Sequence, residues 1–276
     1  MRRITPLLFH AAMAFAPFRT AAAKVEPEPG RHHTVYLLAG QSNMDGRGKN
    51  SDLTGDLAGY AAPHDRVLIP YSSSGHHRRL RESGGLVPLQ PGCIEQPGQF
   101  GPELGFGYAM ATARPEQHLI FIKVSEGGTY LREDWNPDRD NNLYQRLIRL
   151  VGETGELLAE HEATFEIAGV IWHQGESDSA DPHADQYAAR LTRFIERLRK
   201  DLELPGLPFV IGGICGDNTR YQTVIEAQQQ VAAAMPGVGF ASSDGLSTHD
   251  ADVQFDAPSQ VELGRRFARA MQALAE

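Results

Sequence analysis

The sequence predicts a three-layer α/β/α sandwich with a central parallel sheet of about five strands. Short apolar runs, rich in β-branched residues, alternate along the chain with longer amphipathic stretches. The runs are apolar on both faces, which is typical of strands that are covered by helices on both sides of a parallel sheet. This alternation over 276 residues favours one doubly wound domain.

Five apolar runs are predicted strands, and a shorter run is a candidate sixth. They are TVYLLAG (34–40), RVLIPY (66–71), HLIFIKVS (118–125), IAGVIWHQ (167–174), PFVIGGI (208–214) and, as the sixth, VGFASS (238–243). Amphipathic stretches predict helices at 103–113, 141–161, 184–203, 219–235 and 258–275. Residues 72–102 are rich in Gly, Pro and Ser and predict a long loop, of a length that is usually functional or disordered.

The N-terminal part of the chain differs from the rest. Residues 1–23 have a basic start, a mostly apolar middle and a small-residue end, which predicts a signal peptide and therefore a secreted or periplasmic protein. A disordered extension is the alternative. Residues 24–33 are polar and Pro-rich and predict a linker, with solvated histidines at its end, into a domain over 34–276. Cys93 and Cys215 could pair in an oxidising compartment, although two separate thiols are favoured.

The charge of the chain limits its partners. A formal net charge of −9 argues against nucleic acid and against anionic membranes, and it is compatible with a carbohydrate. The N-terminal apolar run is too short to span a membrane comfortably. Histidines and cysteines do not stand at metal-ligand spacing, so no metal and no other cofactor is expected. The sequence leaves the oligomeric state open.

Polar, glycine-containing clusters follow the predicted strands, and the carboxyl ends of such strands meet at the ligand-binding edge of the sheet. QSNMDGRG follows the first strand, EGGTYL the third, Gln174 to Glu176 the fourth and DGLSTHDADVQ the sixth. Ser42 in the first cluster stands where a turn opens a helix, so it is either a nucleophile beside backbone N–H groups or a helix N-cap. Gly127 and Gly128 form either a backbone oxyanion donor or a plain turn.

The side-chain amide of Gln174 could donate a hydrogen bond to an oxyanion. A serine nucleophile beside several such donors indicates acyl transfer. In this order GQSNMDGRG, SEGGT, WHQGESD and FDAPSQVELGRRFA resemble the SGNH hydrolases, and more narrowly the sialate O-acetylesterase-like and acetylxylan esterase-like carbohydrate esterases. The resemblance covers residues 34 to 275. It implies a flavodoxin-like topology and metal-independent removal of acetyl groups from sugars.

The resemblance also implies roles for individual residues. Ser42 would be the nucleophile, and its N–H would form the oxyanion hole with Gln174 and Gly128, or with Gly127 in the place of Gly128. The remaining candidates for substrate binding are Asn43, Gly127 and Glu176.

The general base is the part of the pattern that this sequence lacks. Similar proteins have Asp-x-x-His just before the last helix, and here Ala251 and Gln254 occupy those two places. An amide is not basic and cannot accept the serine proton. His173 precedes Gln174 in a strand, so the two side chains point to opposite faces, and His173 is predicted to be structural. His249 remains as a displaced base.

Asp250 or Asp252 would then assist His249. The sequence therefore predicts a carbohydrate O-acetylesterase that acts through an acyl-enzyme. The alternative is a catalytically impaired glycan-binding protein, and an acyltransferase is a third, weaker option.

Overall fold

The computed structural model describes residues 23–74, 80–94, 96–216, 219–250 and 253–275. The predicted signal peptide therefore lies outside the described residues, except for Ala23. None of the helices in these ranges is long and apolar enough to cross a membrane.

The described residues form thirteen strands and six α-helices. The strands are β1 His32–Gly40, β2 Gly48–Lys49, β3 Val67–Ile69, β4 Tyr71–Ser74, β5 Leu80–Glu82, β6 Val87–Pro88, β7 Gln99–Phe100, β8 His118–Glu126, β9 Thr164–His173, β10 Phe209–Gly212, β11 Val238–Ala241, β12 Thr248–Asp250 and β13 Gln254–Phe255. The helices are α1 Ser42–Asp45, α2 Glu103–Ala113, α3 Leu143–Glu160, α4 Tyr187–Asp201, α5 Thr219–Ala234 and α6 Ala257–Ala273.

The main sheet confirms the predicted α/β/α class and is larger than five strands. Its order is β11-β10-β9-β1-β8-β3-β6, with β4 also pairing β8 and β5 pairing β4. The pairs among β1, β3, β4, β8, β9, β10 and β11 are parallel, whereas β5 and β6 add antiparallel edges. The chain builds one half of the sheet from β1 to β8 and the other half from β9 onward. The order therefore reverses between β1 and β9, and a crevice for ligand forms at such a point, at the carboxyl ends of the strands.

Helices cover both faces of this sheet. Successive side chains of β1 point to opposite sides, so the strand contributes to the apolar core on each face. Val35 and Leu37 belong to one apolar cluster with residues of α3, α4 and α5. Tyr36 and Leu38 belong to the other cluster, with residues of α2 and α6. The predicted helices recur with ends shifted by a few residues, and α2 has the predicted bounds.

The structure differs from the sequence prediction in three regions. The run 66–71 is divided at Pro70 into β3 and β4, because proline has no N–H to donate to a neighbouring strand. The loop predicted at 72–102 is wrong for much of its length, since it contains part of β4 and all of β5, β6 and β7, which are too short for an apolar pattern. The predicted linker ends early, and His33 is buried in β1 with a 3% exposed surface. Cys93 and Cys215 are both buried and do not form a disulfide with each other.

Candidate active site

Ser42 lies at the edge of the sheet, directly after the switch-point strand β1. Gly40 has a φ of 154°, and a Cβ at this position would lie 2.0 Å from the carbonyl oxygen of His173 on the neighbouring strand. The Gln41 N–H donates to the same carbonyl over 2.9 Å. The chain therefore turns closely against β9, and Ser42 becomes the first residue of α1, with 2% of its surface exposed.

Buried charges fix the turn that carries Ser42, residues 41–47, which we call the nucleophile turn. Arg47 donates to the Asp45 carboxylate over 2.5 Å, and Ser125 donates to it over 3.0 Å. The Lys123 ammonium donates to the Asp45 carbonyl over 2.9 Å and to the Glu103 carboxylate over 2.7 Å. Sequence reasoning missed this network, although a lysine inside the apolar run HLIFIKVS was a signal of a buried cation.

Gln254 is the residue that contacts the Ser42 hydroxyl. Its Nε2 donates to Ser42 Oγ over 3.1 Å. Residue 254 therefore occupies the position beside the serine that the motif before the last helix predicts for a base. In either orientation of the amide, the glutamine offers a hydrogen bond and no basic atom.

Asn43 holds the chain on both sides of Gln254. Its Nδ2 donates to the carbonyl of Val253 over 2.8 Å, and its Oδ1 accepts the N–H of Phe255 over 3.0 Å. The second Nδ2 hydrogen goes to Glu176 Oε1 over 2.8 Å. Asn43 is fully buried and holds this segment in position, and its role in substrate binding stays a prediction.

Glu176 and Gln174 are also engaged within the protein. Glu176 is 5% exposed, and its Oε1 accepts the bond from Asn43 and lies 3.7 Å from Nδ1 of His173. The Gln174 Nε2 lies 2.6 Å from Asp178 Oδ2, 2.9 Å from the Thr129 carbonyl and 3.2 Å from Gln41 Oε1. An amide has two hydrogens for these three acceptors. These contacts hold Gln174 against the loop, and its role as an oxyanion donor stays a prediction.

The two glycines of the doublet differ in their surroundings. Gly127 is buried, and its N–H donates to the carbonyl of Ser74 over 3.1 Å. Gly128 is exposed, with a φ of 75°. Gly128 is therefore the more accessible member of the doublet.

His173 and His249 both have partners other than the serine. His173 is fully buried, its Nε2 lies 3.2 Å from the Gly213 carbonyl, and its ring meets Phe255 edge-on. Burial lowers the pKa of His173. His249 is exposed, and its Nε2 lies 3.1 Å from the Arg47 carbonyl. Asp252 and Ala251 lie outside the described residues.

Comparisons with known proteins confirm the resemblance. A family model described as carbohydrate esterase, sialic acid-specific acetylesterase, matches residues 32–273. A probable carbohydrate esterase of Arabidopsis thaliana is 28% identical over 249 residues, which cover 86% of this chain and 89% of that protein.

Two solved structures share the fold. A crystal structure of a protein from Arabidopsis thaliana has a TM-score of 0.70 at 25% identity, over 87% of this chain and 98% of that one. A carbohydrate acetylesterase from Xanthomonas citri has a TM-score of 0.63 at 19% identity, over 87% of this chain and 56% of that one.

Proposed function

Because the chain belongs to the carbohydrate esterase, sialic acid-specific acetylesterase family, we propose that it binds O-acetylated carbohydrates at Ser42 and deacetylates them slowly. The contact between the Gln254 amide and the Ser42 hydroxyl carries this proposal. The family implies the substrate class and the reaction, whereas the glutamine limits the rate.

The reaction explains why the rate depends on residue 254. Ser42 Oγ would attack the acetyl carbonyl, the sugar oxygen would leave, and water would then release acetate from the acyl-enzyme. The N–H groups of Ser42 and Gly128 are the candidate oxyanion donors. The serine proton needs an acceptor that can later protonate the sugar oxygen, and glutamine cannot take this proton. Removal of the base from a serine triad costs about 10⁶ in turnover and leaves about 10³ to 10⁴ over water.

An active esterase with a displaced base is the second candidate. His249 favours it, because this exposed imidazole lies in the same hairpin as Gln254 and contacts Arg47 at the end of the nucleophile turn. To reach Ser42 the ring would have to leave the Arg47 carbonyl. The first candidate needs no such movement. We further propose that the chain acts outside the cytoplasm, which its N-terminal segment predicts.

Hydrolysis of p-nitrophenyl acetate distinguishes the two candidates. We expect slow release of nitrophenol by the wild type, little change in His249→Ala, and loss of the residual rate in Ser42→Ala. Gln254→His, and more so Gln254→His with Ala251→Asp, should raise the rate by at least about 10²-fold, because a base gains the position beside the serine. High wild-type activity that His249→Ala abolishes would establish His249 as the base instead.

Calorimetry tests the binding half of the proposal. An O-acetylated xylo-oligosaccharide should bind saturably to the wild type and to Ser42→Ala, with almost no acetate released over hours. The deacetylated oligosaccharide is the matched control and should bind more weakly. Equal binding of both sugars, or binding of neither, would show that the site does not recognise acetylated carbohydrate.

A further inference from the structure

A polar cleft lies beside the hairpin that carries Gln254. It has a volume of about 460 Å³ and is bounded by α5, by the end of β10 and by the segment between β11 and β12. Its polar lining comes from α5 on one side and from the segment that leads to β12 on the other, and consists of Gln222, Glu226, Gln229, Ser243, Asp244 and Thr248. Sites for small ligands usually have volumes of 300–1,000 Å³, so the cleft is large enough for a sugar.

Both walls of the cleft are held in place by the protein itself. On the α5 side, Gln228 is fully buried and its Nε2 donates to the carbonyl of Gln174 over 3.0 Å. On the opposite side, Arg266 Nη1 donates to the carbonyls of Ser242 and Asp244, each over 2.8 Å. The side chains that line the cleft therefore stand on a preformed frame.

The cleft lies next to the segment of chain that carries Gln254. Cys215 lines it, and the Cys215 sulfur lies 3.2 Å from the carbonyl of Val253. Asn43 donates to the same carbonyl, and the next residue, Gln254, contacts Ser42. The wall of the cleft thus reaches the chain one residue before the partner of the serine.

The chemistry of the lining selects the kind of ligand. Amide and carboxylate side chains pair well with sugar hydroxyls, which both donate and accept hydrogen bonds. Glu226 and Asp244 are acidic, and no described residue of the lining is Lys or Arg. A sugar that carries a carboxylate would meet like charge at these two side chains.

We propose that this cleft is a subsite for the neutral sugar units of an oligosaccharide whose acetylated unit lies at Ser42. The inference rests on the proposed function, and adds that the cleft favours neutral sugar units over units that carry a carboxylate. Gln222 and Gln229 contribute hydrogen bonds to the glycan, and they determine affinity for the chain of sugars rather than for the acetyl group.

The residues that follow these two glutamines on α5 provide a matched test. Thr223 and Gln230 are also exposed and polar but do not line the cleft. In the full chain with Ser42→Ala, Gln222→Ala with Gln229→Ala should weaken binding of an O-acetylated xylotetraose about tenfold. Thr223→Ala with Gln230→Ala should leave it unchanged. Binding of acetylated methyl xyloside, a single unit, should be the same in both double variants.

The outcomes separate this inference from the proposed function. If both double variants weaken tetraose binding equally, or if the Ser42→Ala chain binds the tetraose no more tightly than the single unit, the subsite is refuted and the proposed function stands. If it binds neither ligand, both proposals fail. Unfolding midpoints of the two double variants should lie close to that of the parent chain, which excludes a general loss of structure.

A second ligand tests the charge preference. An O-acetylated xylotetraose with a glucuronate branch on a unit other than the acetylated one should bind at least about tenfold more weakly than the same compound with a neutral glucose branch. Glu226→Gln should reduce this difference, whereas Glu196→Gln, which removes an exposed carboxylate on α4, should leave it unchanged. Equal or tighter binding of the glucuronate compound by the parent chain would overturn the preference for neutral sugars.

Discussion

The nucleophile turn and the hairpin of β12 and β13 face each other across the site, and they are anchored differently. The turn rests on fully buried charges, with Lys123 bonded to Glu103 and to the backbone of Asp45. The hairpin is attached to the turn through Asn43, and Gln254 itself is half-buried, with its amide on Ser42. We therefore expect the stability of the fold to depend more on the residues of the turn than on the side chain at 254.

This difference shows why a site can keep most of its motifs and lack its base. Asn43 bonds to Glu176 and to the hairpin, so the folded structure uses both residues whether or not acetate is released. Residue 254 has no comparable structural duty. The GQSN and HQGE motifs therefore indicate an intact fold, whereas the residue at position 254 indicates whether a base stands beside Ser42.

The largest expected effect on stability is at the base of the nucleophile turn. Lys123→Met leaves the Glu103 carboxylate buried without its cation, and breaking a buried pair in this way costs about 3–5 kcal/mol of unfolding free energy. Chemical denaturation should show this loss, while Lys49→Met, at an exposed lysine, should change the free energy by less than about 0.5 kcal/mol. Adding Glu103→Leu to Lys123→Met should recover part of the loss. If Lys123→Met costs less than about 1 kcal/mol, the turn is not anchored more strongly than the hairpin.

A smaller effect is expected at the link between the two regions. Asn43→Ala leaves the Phe255 N–H and the Glu176 carboxylate without the bonds that Asn43 provides, at about 1–3 kcal/mol for an unsatisfied buried group. Hydrogen exchange at the Phe255 amide should accelerate, whereas exchange at Leu143, whose N–H donates to the carbonyl of Asp134, should change less. Unchanged protection of Phe255 would show that Asn43 does not hold the hairpin.

Gln254→Ala should have a still smaller effect on stability. The side chain makes its hydrogen bond to Ser42 at a half-buried position, so we expect a change within about 0.5 kcal/mol by the same denaturation experiment. A loss comparable to that of Asn43→Ala would mean that the glutamine supports the fold, and that its presence has a structural cause.

The sequence predicts more of the fold than of the site, for a physical reason. Central strands such as β1 and β8 are apolar on both faces, a local pattern that needs no knowledge of their neighbours. Gln254 was also found locally, by its distance from the last helix, and the structure places it beside Ser42.

The tasks of Asn43 and Gln174 were not predictable in this way. Their partners are far away in sequence, as with Val253 for Asn43 and Thr129 for Gln174. A polar residue after a strand has the same local appearance whether it faces a ligand or braces the protein. The two cases differ in how many of the hydrogen bonds of that residue are made within the protein.

His173 connects the two regions, because its carbonyl accepts the Gln41 N–H of the turn and its ring packs on Phe255 of the hairpin. Burial lowers its pKa, although the facing Glu176 carboxylate and Gly213 carbonyl oppose this shift. Below about pH 6.5 the unfolded chain binds a proton that the folded chain does not, so stability falls as the pH decreases, by up to about 1.4 kcal/mol per unit.

His173→Gln removes this titration and should cost stability at pH 7.5, because the ring no longer fills its place against Phe255 and Phe267. The difference in unfolding free energy between wild type and variant should then narrow as the pH falls from 7.5 to 5. Other histidines, including His33, titrate in both proteins and cancel in the difference. A difference that stays constant over this range would show that His173 binds its proton as easily in the folded chain as in the unfolded one.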